Sequence, residues 1–359
     1  MGLQSLDIRD FRNIQNASLT FSSGLNLITG ANAAGKTSLL EAIYCLGRVR
    51  SFRTAIADEP VRYGQTAYRL VGRIRQAGGR ILPVGIERQA NGLQVHLDGR
   101  SIRRLSDLAG SFPVQVMSGD TENILEGGPR YRRQAIDWAL FHVEPPYREY
   151  WQRYTRALRQ RNAALRTRVA IEQVRAWDAE IHEAGEQIDR LRNQYFQALQ
   201  PKLELMVSDL LPGMSVSLHY QSGWPAGLEL AEALAQALER DRIQGYTRYG
   251  IHRADFRMRI DGRSARAHCS RGQQKSLSVA FMLAQIALQQ DRDVALGAFL
   301  LDDFASELDE AHQQRVLCAL RDLQAQVFVT AIQGSRTDHA VWQEMKRFHV
   351  EHGEIQEVV

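Results

Sequence analysis

Gly30-Ala31-Asn32-Ala33-Ala34-Gly35-Lys36-Thr37-Ser38 is bracketed by glycines, ends in Lys-Thr and runs into an apolar stretch. It has the form G-x-x-x-x-G-K-[ST], the pattern of a loop that wraps phosphates. Ahead of it, Leu25-Asn26-Leu27-Ile28 reads as a short buried strand. Behind it, Leu39, Ile43 and Leu46 recur on one helical face from Lys36 onward, with Gly47 as the expected stop. Strand, glycine turn and helix are the setting such a loop needs. The N–H groups around Ala33 to Thr37 then converge on a phosphate at the positive end of the helix dipole. Residues Gly30 through Gly35 form the cradle, Lys36 bridges the β- and γ-phosphates, and the Thr37 hydroxyl binds Mg²⁺. ATP with Mg²⁺ is the expected ligand.

The cradle needs a carboxylate to position its cation, and the best acidic strand end lies near the other end of the chain. Ala298-Phe299-Leu300-Leu301-Asp302-Asp303 reads as a buried parallel strand with its acids at the C-terminal edge. Asp302 is expected to hold Mg²⁺ and Asp303 to face the attacking water. One sheet is therefore begun by one end of the chain and completed by the other.

Between these motifs, Ser270-Arg271-Gly272-Gln273 opens the apolar helix SLSVAFMLAQIAL. Ser270 with Gln273 is a capping box, which by itself requires only a helix start. Gly272 leaves the first-turn amides accessible, and such a helix end can also take a phosphate. A phosphate wrapped by its own cradle has little room for a second helix of the same chain. The economical arrangement is a second copy whose Ser270 helix caps the nucleotide, so that ATP joins two chains.

The quoted segments, together with IRDFRNI (Ile8 to Ile14), GGPRYRRQAIDW (Gly127 to Trp138), QRNAALR (Gln160 to Arg166) and LLDDFASELD, run in this order along nearly the whole chain. In that order they resemble the ABC-type ATPase heads of chromosome-maintenance and double-strand-break repair proteins, and among them the RecF family. The resemblance implies an α/β P-loop head that dimerises on ATP, binds DNA at single-strand gaps and junctions, and works with RecR and RecO in loading RecA. By position it places Arg12 and Asn13 near the nucleotide. It assigns Ser270 to Gln273 to the signature, Asp302 and Asp303 to the Walker B pair, and Ser306 to Asp309 to the D-loop. Ala33 departs from the family's usual glycine, and its Cβ is expected to narrow the loop. Other departures are the absence of proline in Ser118-Gly119-Asp120, Ile251 before His252-Arg253, and Cys269 before the signature serine. Thr330 stands where many ABC ATPases carry a γ-phosphate-sensing histidine, and it could donate one neutral hydrogen bond. Asp303 is one methylene shorter than the usual glutamate, which implies slow turnover.

The intervening chain shows two helical runs. Trp151, Tyr154, Leu158 and Leu165 form one stripe, and Val174, Trp177, Ile181, Ala184, Ile188, Leu191 and Tyr195 form a seam at spacings of three and four. That is a short antiparallel coiled coil, with Pro201 expected to kink or end the second helix. Its aromatics read as core in preference to a base-stacking platform. Arginines including Arg153, Arg156 and Arg159 crowd the first helix, while the second is acidic. They either pair with it or contact phosphate. Arg48, Arg50 and Arg53 form a second candidate DNA patch. Leu93 to Leu97 before Asp98-Gly99, and Phe256 to Ile260 before Asp261-Gly262, read as hairpins flanking the head. His252 and His268 are expected to be structural or exposed. The expected organisation is a head half over 1–120, a helical lobe over 121–245 and a second head half over 246–359.

Composition adds limits. Lys and Arg outnumber Asp and Glu by only 45 to 41, so any nucleic-acid surface is a local patch. The three cysteines lack metal-ligand spacing. No apolar run could span a bilayer and the opening residues carry no export signature, which gives a cytoplasmic expectation. An ATP-gated scaffold without DNA contact is the alternative reading; a transport ATPase fits the long insertion poorly.

Overall fold

The computed structural model describes residues 1–359 apart from 90–91, 103–107, 109, 119–123, 295, 305–308, 332–341 and 359. By contacts the chain divides into two units, Met1–Thr121 with Asp293–Val359, and Glu122–Arg292. The sequence reading sets the later boundary at 246, whereas packing sets it at 293. The helix after Ser270 therefore groups with the helical unit.

The first unit holds two sheets. β1 (Gly2–Phe11), β2 (Ile14–Thr20), β4 (Ala67–Arg75), β5 (Ile81–Gln89), β6 (Gly92–Leu97) and β7 (Arg100–Ser101) make an antiparallel sheet of order β2-β1-β4-β5-β6-β7. Leu3, Leu6 and Ile8 are all buried despite their uneven spacing, because a bulge between Leu3 and Ser5 resets the register. Asp98 and Gly99 both take positive φ, 54° and 76°, as the tight β6–β7 hairpin requires.

The second sheet is built from both chain ends. β3 (Leu25–Thr29), β8 (Val114–Met117), β12 (Ala298–Leu301), β13 (Val327–Ala331), β14 (Met345–Glu351) and β15 (Glu354–Val358) lie in the order β15-β14-β3-β13-β12-β8. It is parallel from β14 to β8, with antiparallel β15 at its edge. β12 is buried at all four positions, as its unbroken apolar run demands. Asn26, a polar residue inside β3, accepts from Ser22 N at 2.8 Å and donates to Ser22 O at 3.0 Å.

Helix α1 (Lys36–Arg48) packs against β1, β4 and β5 of one sheet and β8 and β13 of the other. It is thus buried on nearly every side, with Leu40, Ala42, Tyr44 and Cys45 covered beside the expected Leu39, Ile43 and Leu46. Gly47 does not stop it. The helix runs on to Arg48, and Val49, left-handed at φ 55°, caps it through N–H to Cys45 O at 2.7 Å. Gly47 is there for close packing: a Cβ would lie 2.6 Å from Phe112 O and 2.7 Å from Val114 Cγ2.

In the second unit, α2 (Pro129–Val143), α3 (Pro145–Arg166), α4 (Ile171–Arg175), α5 (Asp178–Leu210), α6 (Leu230–Gln244), α7 (Ala265–His268) and α8 (Arg271–Gln290) accompany a three-stranded antiparallel sheet. That sheet is β9 (Val216–Gln221), β10 (Asp255–Ile260) and β11 (Arg263–Ser264), so the Phe256 hairpin belongs to this unit. α3 and α5 run antiparallel: Arg161 bonds Asp178 near the turn, Arg153 bonds Glu180, and Tyr147 meets Arg192 at the far end. Tyr154, Leu165, Val174, Ile181, Ala184, Ile188 and Tyr195 are buried, as the seam requires. α5 continues past Pro201 to Leu210. α8 packs on α5 and is buried from Ser276 to Gln289, with Phe281 stacked on Phe256 at 5.3 Å and Gln285 donating to Tyr195 at 3.2 Å. An order of motifs cannot reveal this, and it is why the boundary falls after the helix and not before it.

Candidate nucleotide-binding site

The parallel pairing β3-β13-β12 aligns the ends of three strands beside the N-terminus of α1. In the loop between β3 and α1, Ala33 adopts φ 62° and Gly35 φ 123°. The Lys36 ammonium is buried and donates to Gly30 O at 3.0 Å and Ala31 O at 2.9 Å. The Thr37 hydroxyl donates to Asp302 Oδ1 at 3.0 Å, joining the two distant motifs. Thr330 donates to the same oxygen at 3.0 Å and accepts from Asp303 N at 2.7 Å. Its single proton therefore serves Asp302, while its lone pair takes the Asp303 amide. Asp303 itself sits at φ 49°.

Burial raises the Asp302 carboxyl above the usual aspartate range, and the charge of Asp303 adds to the rise; bonds from Thr330 and Thr37 oppose it. A hydroxyl and a carboxylate sharing one contact at a strand edge suit a hard, oxygen-seeking cation. Among the described residues no three His, Cys, Asp or Glu gather as a metal cage. A cation here would draw its remaining ligands from phosphate and water, as Mg²⁺ does.

Two hairpin turns brace the cradle. Asn13 Nδ2 and Gly353 N both donate to Ala34 O, at 2.9 and 2.8 Å. A Cβ on Gly353, at φ 84°, would lie 2.1 Å from Asn13 O, so only glycine admits the second turn there. Beside Asn13, Arg12 takes φ 54° and grips Glu41 of α1 with Nε and Nη2 at 2.9 and 2.7 Å. Glu41 is 0% exposed and also accepts from Ser51 at 2.5 Å and Arg53 at 3.4 Å. Sequence reasoning placed Arg12 and Asn13 by resemblance and missed Glu41 and Gly353. A lone acid inside the apolar run SLLEAIYCL was the available signal for Glu41; none marked Gly353.

Elsewhere, Ser270 caps α8 with both capping-box bonds formed, Ser270 N to Gln273 Oε1 at 2.9 Å and Gln273 N to Ser270 Oγ at 3.3 Å. Ser270, Arg271 and Gly272 remain exposed. Asp309 caps α9 (Glu310–Asp322), accepting from His312 N at 2.9 Å. Ser306 lies outside the described residues, as do Gly119 and Asp120. The DNA candidates divide. Arg48 turns inward, donating to Val114 O at 3.2 Å and lying over the Tyr44 ring, with burial pulling its pKa down to about 10. Arg53 leans on Glu41, and Arg153 is held by Glu180 and Glu183. Arg50, Arg156 and Arg159 are exposed. His252 is structural: it meets Tyr154 OH at 2.7 Å and Thr247 O at 3.0 Å. No helix among the described residues is long and apolar enough to cross a membrane.

Comparison with known proteins adds family context. The family described as RecF/RecN/SMC N terminal domain matches residues 2–356. The DNA replication and repair protein RecF of Erwinia tasmaniensis is 41% identical over 356 residues, covering 99% of this chain and 98% of that one. Its counterpart in Nitrosococcus oceani is 38% identical over 363 residues, with 100% of each chain covered. The solved recombination mediator protein RecF-ATP of the RecFOR pathway shares the fold with a TM-score of 0.89 at 24% identity, over 100% of this chain and 98% of that one. An Smc head bound to the C-winged helix domain of ScpA aligns with a TM-score of 0.63 at 15% identity, over 100% and 97%.

Proposed function

Because this chain belongs to the RecF/RecN/SMC N-terminal-domain family, and within it to the RecF proteins, we propose that it is an ATP-operated switch on DNA in recombinational repair. The observation that carries the reading is the Thr37–Asp302–Thr330 cluster, which joins the phosphate loop to its acidic strand in a fold of the ATPase-head type. Lys36, held at the loop carbonyls, exchanges them for the β- and γ-phosphates of ATP. Thr37 and Asp302 hold Mg²⁺, which when bound neutralises phosphate charge. Asp303 orients water. The exposed Ser270–Gln273 helix start of a second copy caps the triphosphate, so that ATP closes a dimer around gapped or junction DNA and slow hydrolysis releases it. Exposed Arg50, Arg156 and Arg159 are the remaining candidates for phosphate contact. RecR and RecO are the expected partners, with RecA loading the outcome.

Analytical ultracentrifugation with ATP and gapped duplex tests the reading. The unmodified chain should dimerise on ATP, Lys36→Met should stay monomeric, and Asp303→Asn should retain ATP and accumulate dimer. Monomers in all three at saturating ATP would refute the switch. The inward turn of Arg48 and the pairing of Arg153 with Glu180 and Glu183 favour a second reading, a scaffold that reaches DNA only through partners. Filter binding of the purified chain to gapped duplex separates the two.

A further inference from the structure

The coiled-coil tip carries a groove with chemistry of its own. α3 ends at Arg166, the chain turns through Arg168 at φ 52°, and α4 with the end of α6 closes a cavity of about 330 Å³. Leu165 and Val174 form its buried floor and belong to an apolar cluster with Leu238, against which Val169 packs. Ile243 stands at its wall, 82% exposed. Arg168 and Arg242 line the same groove. Glu239, its one carboxylate, lies 3.8 Å from Arg242, and Arg168 has no acidic partner among the described residues. The groove is pre-shaped. Arg161, one helical turn before Leu165, is fully buried and bonds Asp178 of α5 and Asp241 of α6 at 2.7 Å each, which fixes the helices that bound it.

An apolar floor this size accepts one aliphatic or aromatic side chain, which a sugar-phosphate backbone does not offer. The arginines beside it disfavour a basic segment. We infer that the groove docks a short acidic segment of a partner protein, with one apolar side chain seated against Ile243 and Val169 above the buried Leu165 and Val174, and flanking carboxylates against Arg168 and Arg242. This is the side-chain-in-pocket mode with charge setting the choice of partner. It does not depend on the ATP switch.

The test is fluorescence polarisation of the full chain against labelled heptapeptides, acidic at every position except a varied centre. Peptides centred on leucine, isoleucine, methionine or phenylalanine should bind about tenfold tighter than those centred on serine or glycine, and lysine-flanked versions should not bind. Ile243→Ser and Arg168→Glu, both at exposed positions, should each weaken binding about tenfold while leaving the melting temperature and ATP binding unchanged. Three results would overturn the proposal: no binding by any acidic peptide, equal binding of serine- and leucine-centred ones, or charge reversal at Arg168 and Arg242 that weakens retention of duplex DNA alone.

Discussion

The two units each bury a web of charge, and they differ in how far it is sealed from water. In the first, the buried group is the Glu41 carboxylate, and the arginines that serve it keep an edge in solvent, Arg12 at 15% and Arg53 at 45% side-chain exposure. In the second, the guanidinium ions of Arg161 and Arg192 are buried, and the Asp241 carboxylate is sealed in with Arg161. Arg161 is gripped by Asp178, Asp241 and Thr247, and Arg192 by Asp137, Tyr147 and the carbonyl of Ile251. Burying the anion leaves cations available at the surface beside the phosphate loop. Burying the cations withdraws them from any ligand and uses them to hold helices together. The arginine-rich runs look alike in sequence and differ in this respect.

Arg161→Leu probes the contrast most severely. It leaves Asp241 wholly buried without its counter-ion, a loss of about 3–5 kcal/mol that denaturant unfolding should register, while ATP affinity should stay within about twofold. If nucleotide binding collapsed in a still-folded variant, the two webs would be coupled and the comparison would fail. His252 gives the next effect. Burial depresses its pKa from 6.5 to about 4. The unfolded chain therefore takes up a proton before the folded one as pH falls. Stability from this group is complete above pH 6.5 and declines toward pH 4, by roughly 3 kcal/mol. Stability measured across that window should fall less steeply in His252→Gln; an unaltered slope would show that the ring is not the titrating group.

Glu41→Gln should cost less, about 2 kcal/mol. Arg12 and Arg53 lose their common counter-ion there but can turn toward water, which Asp241 cannot do. A loss as large as that of Arg161→Leu would erase the distinction between a web open to solvent and a sealed one.

How legible each web is in sequence follows from the same difference. The phosphate loop, the acidic strand and the seam were readable because each is a local pattern, whereas the placing of β13 between β3 and β12 depends on long-range pairing that no local pattern carries. Asp302 could be matched to Thr37 because each motif implies the other. Glu41 was hidden because α1 lies between two sheets, so its burial depends on partners that a single amphipathic face does not suggest. Arg48 was a candidate for a ligand because its carbonyl partner comes from another element, while Arg153 took the first of its two readings, pairing with the acidic second helix. The boundary read at 246 differs from the contact division at 293 for the same reason: the resemblance assigns the motif at Ser270 to the head, while its helix packs on α5 and stacks Phe281 on Phe256 of β10.

The smallest expected effect concerns Ala33. Its residue is exposed, and the strain visible there is in the backbone, φ 62°, where a Cβ is disfavoured by about 1 kcal/mol. Ala33→Gly removes that strain but also gives the unfolded chain more freedom, an offset of about 0.4–1 kcal/mol. The net should be a stabilisation of a few tenths of a kcal/mol at most, with ATP affinity changed by less than about twofold. Calorimetric unfolding and nucleotide titration of the same variant separate the two causes. A tenfold gain in ATP affinity with no shift in stability would mean that the methyl group obstructs the phosphate path, as the sequence reading expects. The exposure of Ala33 and its positive φ argue instead that the cost of this departure lies in the backbone angle.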